Sequence, residues 1–209
     1  MNSYIKMHKN TLSIIMLLLL VIGIIGFIHY YHKTLSSIEK GTYRIISQEV
    51  YLSEQLSKLL FVDNEIVLFY EDEGYVALYT QNGVFLYGIQ VDTSDKGTGN
   101  ISYLDGYLVI KSKANTVYFF DGSSLVNAYH ISSKNLDQSR LLVERMGDYK
   151  SLTHTNNGIT FSASNGNIIK TDSTGSNTIL FPLPQKTMNP IFLLSFFLGV
   201  VLLFVLKRN

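Results

Sequence analysis

Hydrophobic and polar positions divide this chain into three regimes. Residues 10–32 carry no formal charge, and 12–28 are apolar apart from Ser13, Gly23 and Gly26. Residues 187–206 are again uncharged, and Lys207, Arg208 and Asn209 follow. Each stretch can form a helix crossing a hydrocarbon core, which takes roughly 20 residues. Between them lie short runs rich in Val, Ile, Tyr and Phe, bounded by Gly, Asn, Asp and Ser. That pattern predicts strands joined by tight turns. The runs are 66–70, 75–79, 84–91, 107–111, 116–120, 125–131, 158–163, 167–171 and 178–181. Asn82-Gly83 and Asn165-Gly166 can supply the positive φ of hairpin turns, as can Asp105-Gly106 and Asp121-Gly122. The stretch 34–60 reads two ways. Ile45, Ile46, Leu52, Leu56, Leu59 and Leu60 fall near helical spacing and favour a helix over 47–60, while 42–46 reads equally as a strand.

The fold class expected is therefore a membrane-anchored, mainly β protein, with an antiparallel propeller-like or sandwich domain between two transmembrane helices. Its parts are a cytoplasmic tail (1–10), transmembrane helix 1 (11–31), a juxtamembrane segment (32–62), an extracytoplasmic β domain (63–186), transmembrane helix 2 (187–206) and a second cytoplasmic tail (207–209). A fragment from 62 to 185 is expected to fold alone, since its core residues lie outside the spans.

Charge sets the orientation. The 209 residues carry a net +1, which points to no nucleic acid. All 16 acidic residues fall in 33–189 with 13 basic ones, a net −3, whereas the tails hold Lys6, Lys9, Lys207 and Arg208 and no acid. Basic tails around an acidic loop fit cytoplasmic termini. Lys33, Lys40, Arg44 and Lys186 oppose this at the outer ends, but long loops translocate largely regardless of charge. No small-x-small site follows Ile28, so the first span reads as an uncleaved anchor. Tyr30 and Tyr31 suit the membrane interface. The absence of cysteine excludes disulfides, thiolate metal sites and cysteine nucleophiles.

Three hairpins look alike. They start at Gly74, Gly106 and Gly158, and each runs glycine, strand, turn, strand. The glycines are 32 and 52 residues apart, so an insertion around 132–148 precedes the third. These units resemble the inner hairpins of β-propeller blades. Three of them cannot close a ring of 4–8 blades, so a few stacked or sandwiched sheets are expected. The layout of anchor, Tyr-rich hairpins and second span resembles uncharacterised two-span membrane proteins of Gram-positive bacteria, a likeness that implies no activity.

Candidate chemistry is sparse. His130 and His154 have no nucleophile motif beside them and read as structural or exposed. His29 and His32 share a helix face, but two ligands do not make a closed metal site. The stretch 92–100 superficially resembles a calcium loop, but Lys96 and Tyr103 stand where ligands belong, so it reads as a flexible turn. Gly97-x-Gly99 lacks a third glycine, because Ser102 stands there. Glu71-Asp72-Glu73 reads as a solvated hairpin tip. Leu183-Pro184-Gln185-Lys186-Thr187 resembles a sortase signal, Leu-Pro-x-Thr-Gly, but Lys186 and Thr187 break the pattern. Gly23, Gly26, Ser195 and Gly199 allow close helix approach and are expected to pack the two spans of one chain together.

No residue is assigned as catalytic, cofactor-binding or metal-ligating. The function expected is a non-enzymatic, membrane-anchored binding or interaction module, an accessory or sensor subunit of an envelope complex. Its partners are the lipid bilayer and another membrane or envelope protein. An exposed Tyr-rich sheet or an open edge would be the binding surface, by strand addition. The alternatives are an enzyme acting on envelope polymers and a cell-wall-anchored surface protein.

Overall fold

The computed structural model describes residues 2–31, 35–52, 54–132, 134–184 and 190–208, with the side chains of 2–10, 12, 29–31, 136 and 205–208 outside the description. Two compact units are formed, Met1–Lys33 with Lys186–Asn209, and Thr34–Gln185. The second takes in most of the segment expected to be a separate juxtamembrane piece.

The helical unit pairs α1 (Asn2–Tyr31) with α3 (Pro190–Arg208). Small residues let the backbones approach. A Cβ on Gly23 would lie 2.7 Å from Phe196 Cβ, and one on Gly199 2.8 Å from Leu20 Cγ. Ser195 is buried in the same contact. Among the described residues, no helix is long and apolar enough to cross a membrane. His29, Tyr30, Tyr31 and His32 fall outside the described side chains.

The β unit contains three antiparallel sheets. Sheet I has the order β1-β5-β4-β3-β2, formed by β1 (Tyr43–Ile46), β2 (Lys58–Val62), β3 (Glu65–Tyr70), β4 (Tyr75–Thr80) and β5 (Phe85–Val91). Sheet II is the meander β6 (Asn100–Leu104), β7 (Tyr107–Lys111), β8 (Thr116–Asp121) and β9 (Ser124–His130). Sheet III is the meander β10 (Thr153–Asn156), β11 (Ile159–Ser164), β12 (Asn167–Thr171) and β13 (Asn177–Pro182). All nine strands expected from the pattern form, with ends within a residue of their expected limits.

The helix expected over 47–60 does not form, and its last residues enter strand β2. Sheet I lies between the other two, so both faces of β2 are buried. Leu59 and Phe61 face the core shared with sheet III, where Phe61 stacks on Phe161 at 4.1 Å between ring centroids. Leu60 faces the core shared with sheet II. A strand covered on both faces loses its alternation and reads as a continuous apolar run. The leucines at 52, 56 and 59 fill one core and Leu60 the other, and their spacing matched a helix because a loop and a doubly buried strand supply them.

The three similar hairpins are not equivalent. Those starting at Gly106 and Gly158 form the second and third strands of their sheets, whereas that starting at Gly74 forms the third and fourth of a corresponding set. Every hairpin of a meander carries the same local signature, so the signature does not fix position within a sheet.

The insertion between the sheets contains α2 (Leu136–Met146). Its Leu142 and Met146, one turn apart, cover the outer face of sheet II beside Val109, Val117 and Phe119. Gly147 ends it at φ +66°, a left-handed value that a residue with a Cβ disfavours. The resulting layers run sheet III, sheet I, sheet II, α2.

Phe119 and Phe120 face opposite sides of β8, as alternation requires. Phe120 is fully buried between sheets I and II, with Tyr43 edge-on at 5.3 Å. Phe119 is half-buried on the α2 side and stacks on Tyr129. Phe120→Ala is expected to cost about 3–5 kcal/mol by urea unfolding, and Phe119→Ala roughly half as much. Equal costs would contradict this layering.

Candidate functional site

The strands that open the three four-strand meanders are neighbours: β2 lies against β10 and β6. Lys58, which opens β2, sits at that junction and is 5% exposed. Its Nζ donates to Asn100 Oδ1 at 3.0 Å and to the Met146 carbonyl at 3.1 Å. Asn100 Nδ2 in turn donates to the Gly147 carbonyl at 3.0 Å. One ammonium and one carboxamide therefore tie β2, β6 and the end of α2 together. Burial lowers the Lys58 pKa to about 8, against a smaller opposing pull from Asp148. His154 is half-buried on β10, and burial followed by the Lys58 charge pushes its pKa down. His130 is exposed. The structure brings the two histidines to different sheets, with no nucleophile motif beside either.

A groove of about 610 Å³ opens next to this junction. Its walls carry Glu54, Glu71, Asp72 and Lys150, and Leu56 and Leu152 also line it. A second recess of about 240 Å³ shares Gln55, Leu56 and Leu152 and reaches Asn165, Gly166 and Leu183. The two recesses adjoin through these shared residues. Their framework is hydrogen-bonded: the Leu59 amide donates to the Ser151 carbonyl at 2.7 Å and the Leu52 amide to the Pro184 carbonyl at 3.0 Å. The Glu71-Asp72-Glu73 tip is not simply solvated. Glu71 Oε1 accepts from the Gly99 amide at 2.9 Å, Asp72 pairs with Lys113, and Glu73 is buried.

The stretch 92–100 joins sheets I and II rather than hanging free. Asp92 is fully buried and accepts from Tyr118 Oη at 2.7 Å, Ser112 Oγ at 3.1 Å and the Gly41 amide at 2.8 Å. Asp95 pairs with Lys40 at 2.9 Å. Among the described residues, no three His, Asp or Glu side chains could hold a metal ion. In the sortase-like stretch Leu183 and Pro184 are tied into the β unit, and 185–187 lie outside the described residues.

The expectation of an exposed Tyr-rich sheet is corrected. Tyr70, Tyr75, Tyr79 and Tyr118 are at most 1% exposed. The rings of these four fill the spaces between sheets, whereas Tyr43, Tyr51, Tyr103 and Tyr149 remain exposed. Tyr75 packs over Gly88, where a Cβ would come within 2.4 Å of its ring. Open edges do exist. β1 covers the outer edge of sheet I, while β9 and β13 end sheets II and III.

A smaller cleft of about 200 Å³ lies at another border of sheets I and II. Val67, Leu78, Leu108 and Phe120 line its apolar part; Asp63, Glu65, Asp121, Tyr87 and Tyr103 supply its polar groups. Tyr103 Oη donates to Asp63 Oδ2 at 2.6 Å. None of these turn carboxylates was singled out by sequence reasoning, because each looks like ordinary turn chemistry. Only the pairing of sheets I and II gathers them.

No protein-family model and no curated protein matches the chain. Among solved structures it is similar to a streptogramin B lyase (12% identity, TM-score 0.33, covering 69% of this chain and 46% of that one). It is also similar to the glutaminyl cyclase of Myxococcus xanthus (15%, TM-score 0.26, 69% and 54%) and to the virginiamycin B lyase of Staphylococcus aureus (10%, TM-score 0.21, 66% and 59%). The chain thus spans about half the length of these proteins, and likeness at this level carries no argument about what it does.

Proposed function

We propose that this chain is a non-enzymatic binding module, anchored by two membrane-spanning helices with cytoplasmic tails, whose extracytoplasmic β unit engages another membrane or envelope protein. The observation that carries this reading is the groove beside Lys58, continuous with the recess toward Asn165 and Gly166. It combines apolar leucine surface with carboxylates and a lysine on its rim, the mixture that recognises an extended polypeptide better than a compact metabolite. Anchoring is supported by the uncharged stretches of α1 and α3 and by the large apolar side chains they expose, among them Leu17, Ile25, Phe197 and Phe204. Soluble surfaces rarely carry so much contiguous apolar area.

The test uses the full chain in its membrane. A photoreactive residue at Leu152 should crosslink a membrane or envelope protein. Reversing the groove charge with Glu71→Lys and Asp72→Lys should abolish that product while the melting transition persists. Crosslinking unaffected by charge reversal, or confined to probes on β9 and β13, would overturn the groove as the binding surface. In the same cells a cysteine at Ser94 should react with an impermeant reagent and one at Asn2 should not. The opposite pattern would reverse the topology.

A further inference from the structure

The cleft between sheets I and II has a chemistry distinct from the groove. Its apolar part comes from inward-facing residues of β3, β4, β7 and β8, which continue the core out to the surface. Three carboxylates join its lining, Asp63 from the β2–β3 turn, Glu65 from the start of β3 and Asp121 from the end of β8, and no basic side chain is among the lining. Two phenols complete it. Burial pushes Tyr87 up to about 12, with Glu65 and Asp121 adding to the effect. Tyr103 is also pushed up to about 12, first by its hydrogen bond to Asp63, then by burial and the fields of Asp63, Asp121 and Glu65. Both phenols thus feel the same uncompensated negative field. Burial, then Asp63, also raises the Glu65 pKa, as expected of a carboxylate lacking a cation.

We propose that this cleft binds an organic cation, a primary ammonium on an aliphatic stem, with the stem on Val67, Leu78, Leu108 and Phe120 and the charge among Asp63, Glu65 and Asp121. Charge complementarity selects the cation. The apolar lining and the lack of three metal-spaced ligands among the described residues select an organic cation over a bare metal ion. The volume of about 200 Å³ holds about seven water-sized groups at roughly 30 Å³ each. That suits pentylammonium, or the lysine side chain of a polypeptide, which shares its chemistry. The inference is independent of the groove beside Lys58.

The full chain in detergent should bind pentylammonium chloride saturably by calorimetry, with a Kd of about a millimolar, as befits so small a ligand. Pentanol, the neutral counterpart, should bind at least tenfold more weakly. Glu65→Gln with Asp121→Asn should weaken pentylammonium at least tenfold, and the remote Asp95→Asn should leave it unchanged. Affinity should fall at high salt and as pH drops through the Glu65 titration. A blocked lysine peptide binding more tightly than pentylammonium would assign the source to a polypeptide, and the reverse order to a free amine. No saturable binding to either, equal binding of pentanol, or full affinity in a double variant with normal melting would each overturn the proposal. Leu152 crosslinking reads the groove separately, so failure of either site leaves the other standing.

Discussion

A fragment spanning 34–185 is expected to fold as an independent β unit, and one spanning 63–185 is expected not to fold. The shorter piece lacks β1 and β2. It loses Leu59, Leu60 and Phe61, each at most 7% exposed, together with buried Leu52 and Leu56. Burial of such a side chain contributes about 1.5–3 kcal/mol, so five amount to roughly 7–15 kcal/mol. That matches the whole stability of an ordinary domain, about 5–15 kcal/mol. The truncation also removes Lys58 and its bonds to Asn100 and Met146, leaving Asn100 Nδ2 on the Gly147 carbonyl as the tie between β6 and the end of α2. Far-UV circular dichroism and urea titration of the two fragments decide the matter. A cooperative transition in 63–185 would mean that sheets II and III cohere without the strand between them.

Stability is expected to rise from pH 8 to about 9.5 and then fall steeply. Lys58 titrates at about 8 in the folded chain and near 10.5 unfolded. Between those values the unfolded state holds more protons at this site, which adds about 1–2 kcal/mol between 7.5 and 9.5. Lys111, also lowered by burial, acts in the same direction. Above about 9.5 the sign reverses. Tyr70, Tyr75, Tyr79 and Tyr118 are held protonated, chiefly by burial, while the unfolded tyrosines ionise near 10.0. The unfolded state then sheds protons first. Each buried tyrosine costs about 1.4 kcal/mol at pH 11, so four approach the total stability. Urea midpoints of the 34–185 fragment across pH 7.5–11 measure both limbs. Lys58→Met should flatten the rising limb and leave the alkaline fall in place. A midpoint unchanged between pH 10 and 11 would mean that these tyrosines are less buried than the packing requires.

Much of the fold was legible in the chain because most strands carry their own signals. Residues 107–111 and 167–171 alternate or run apolar between glycine, asparagine and aspartate turns, and both strands form with those limits. The strands that reading missed are β2, β6 and β10, each the first of a four-strand meander. These three meet near Lys58, where polar residues such as Asn100, Thr153 and His154 replace the usual Val and Ile. Asn100 finds its partners on Lys58 of sheet I and on Gly147 at the end of α2, so no local pattern marks it. The helix in 132–148 escaped for a related reason, since Leu142 and Met146 gain their meaning only from the face of sheet II beneath them.

The sequence by itself determined the uncharged apolar stretches at either end, nine of the strands, the turns that join them and the absence of any thiol chemistry. Those features depend on local forces: backbone preferences at glycine and asparagine, alternation along a strand, and the cost of placing charge in an apolar segment. Tertiary structure decided the rest. Stacking sheet I between the others turned the tyrosines from a presumed binding surface into core, because their rings fill the gap between faces. It buried Lys58 where β2, β6 and the end of α2 converge. It also brought Asp121, at the end of β8, to Asp63 and Glu65 at the β2–β3 hairpin, around one apolar cleft. Such sites arise from long-range packing, which brings together residues whose local sequence carries no mark of their neighbours.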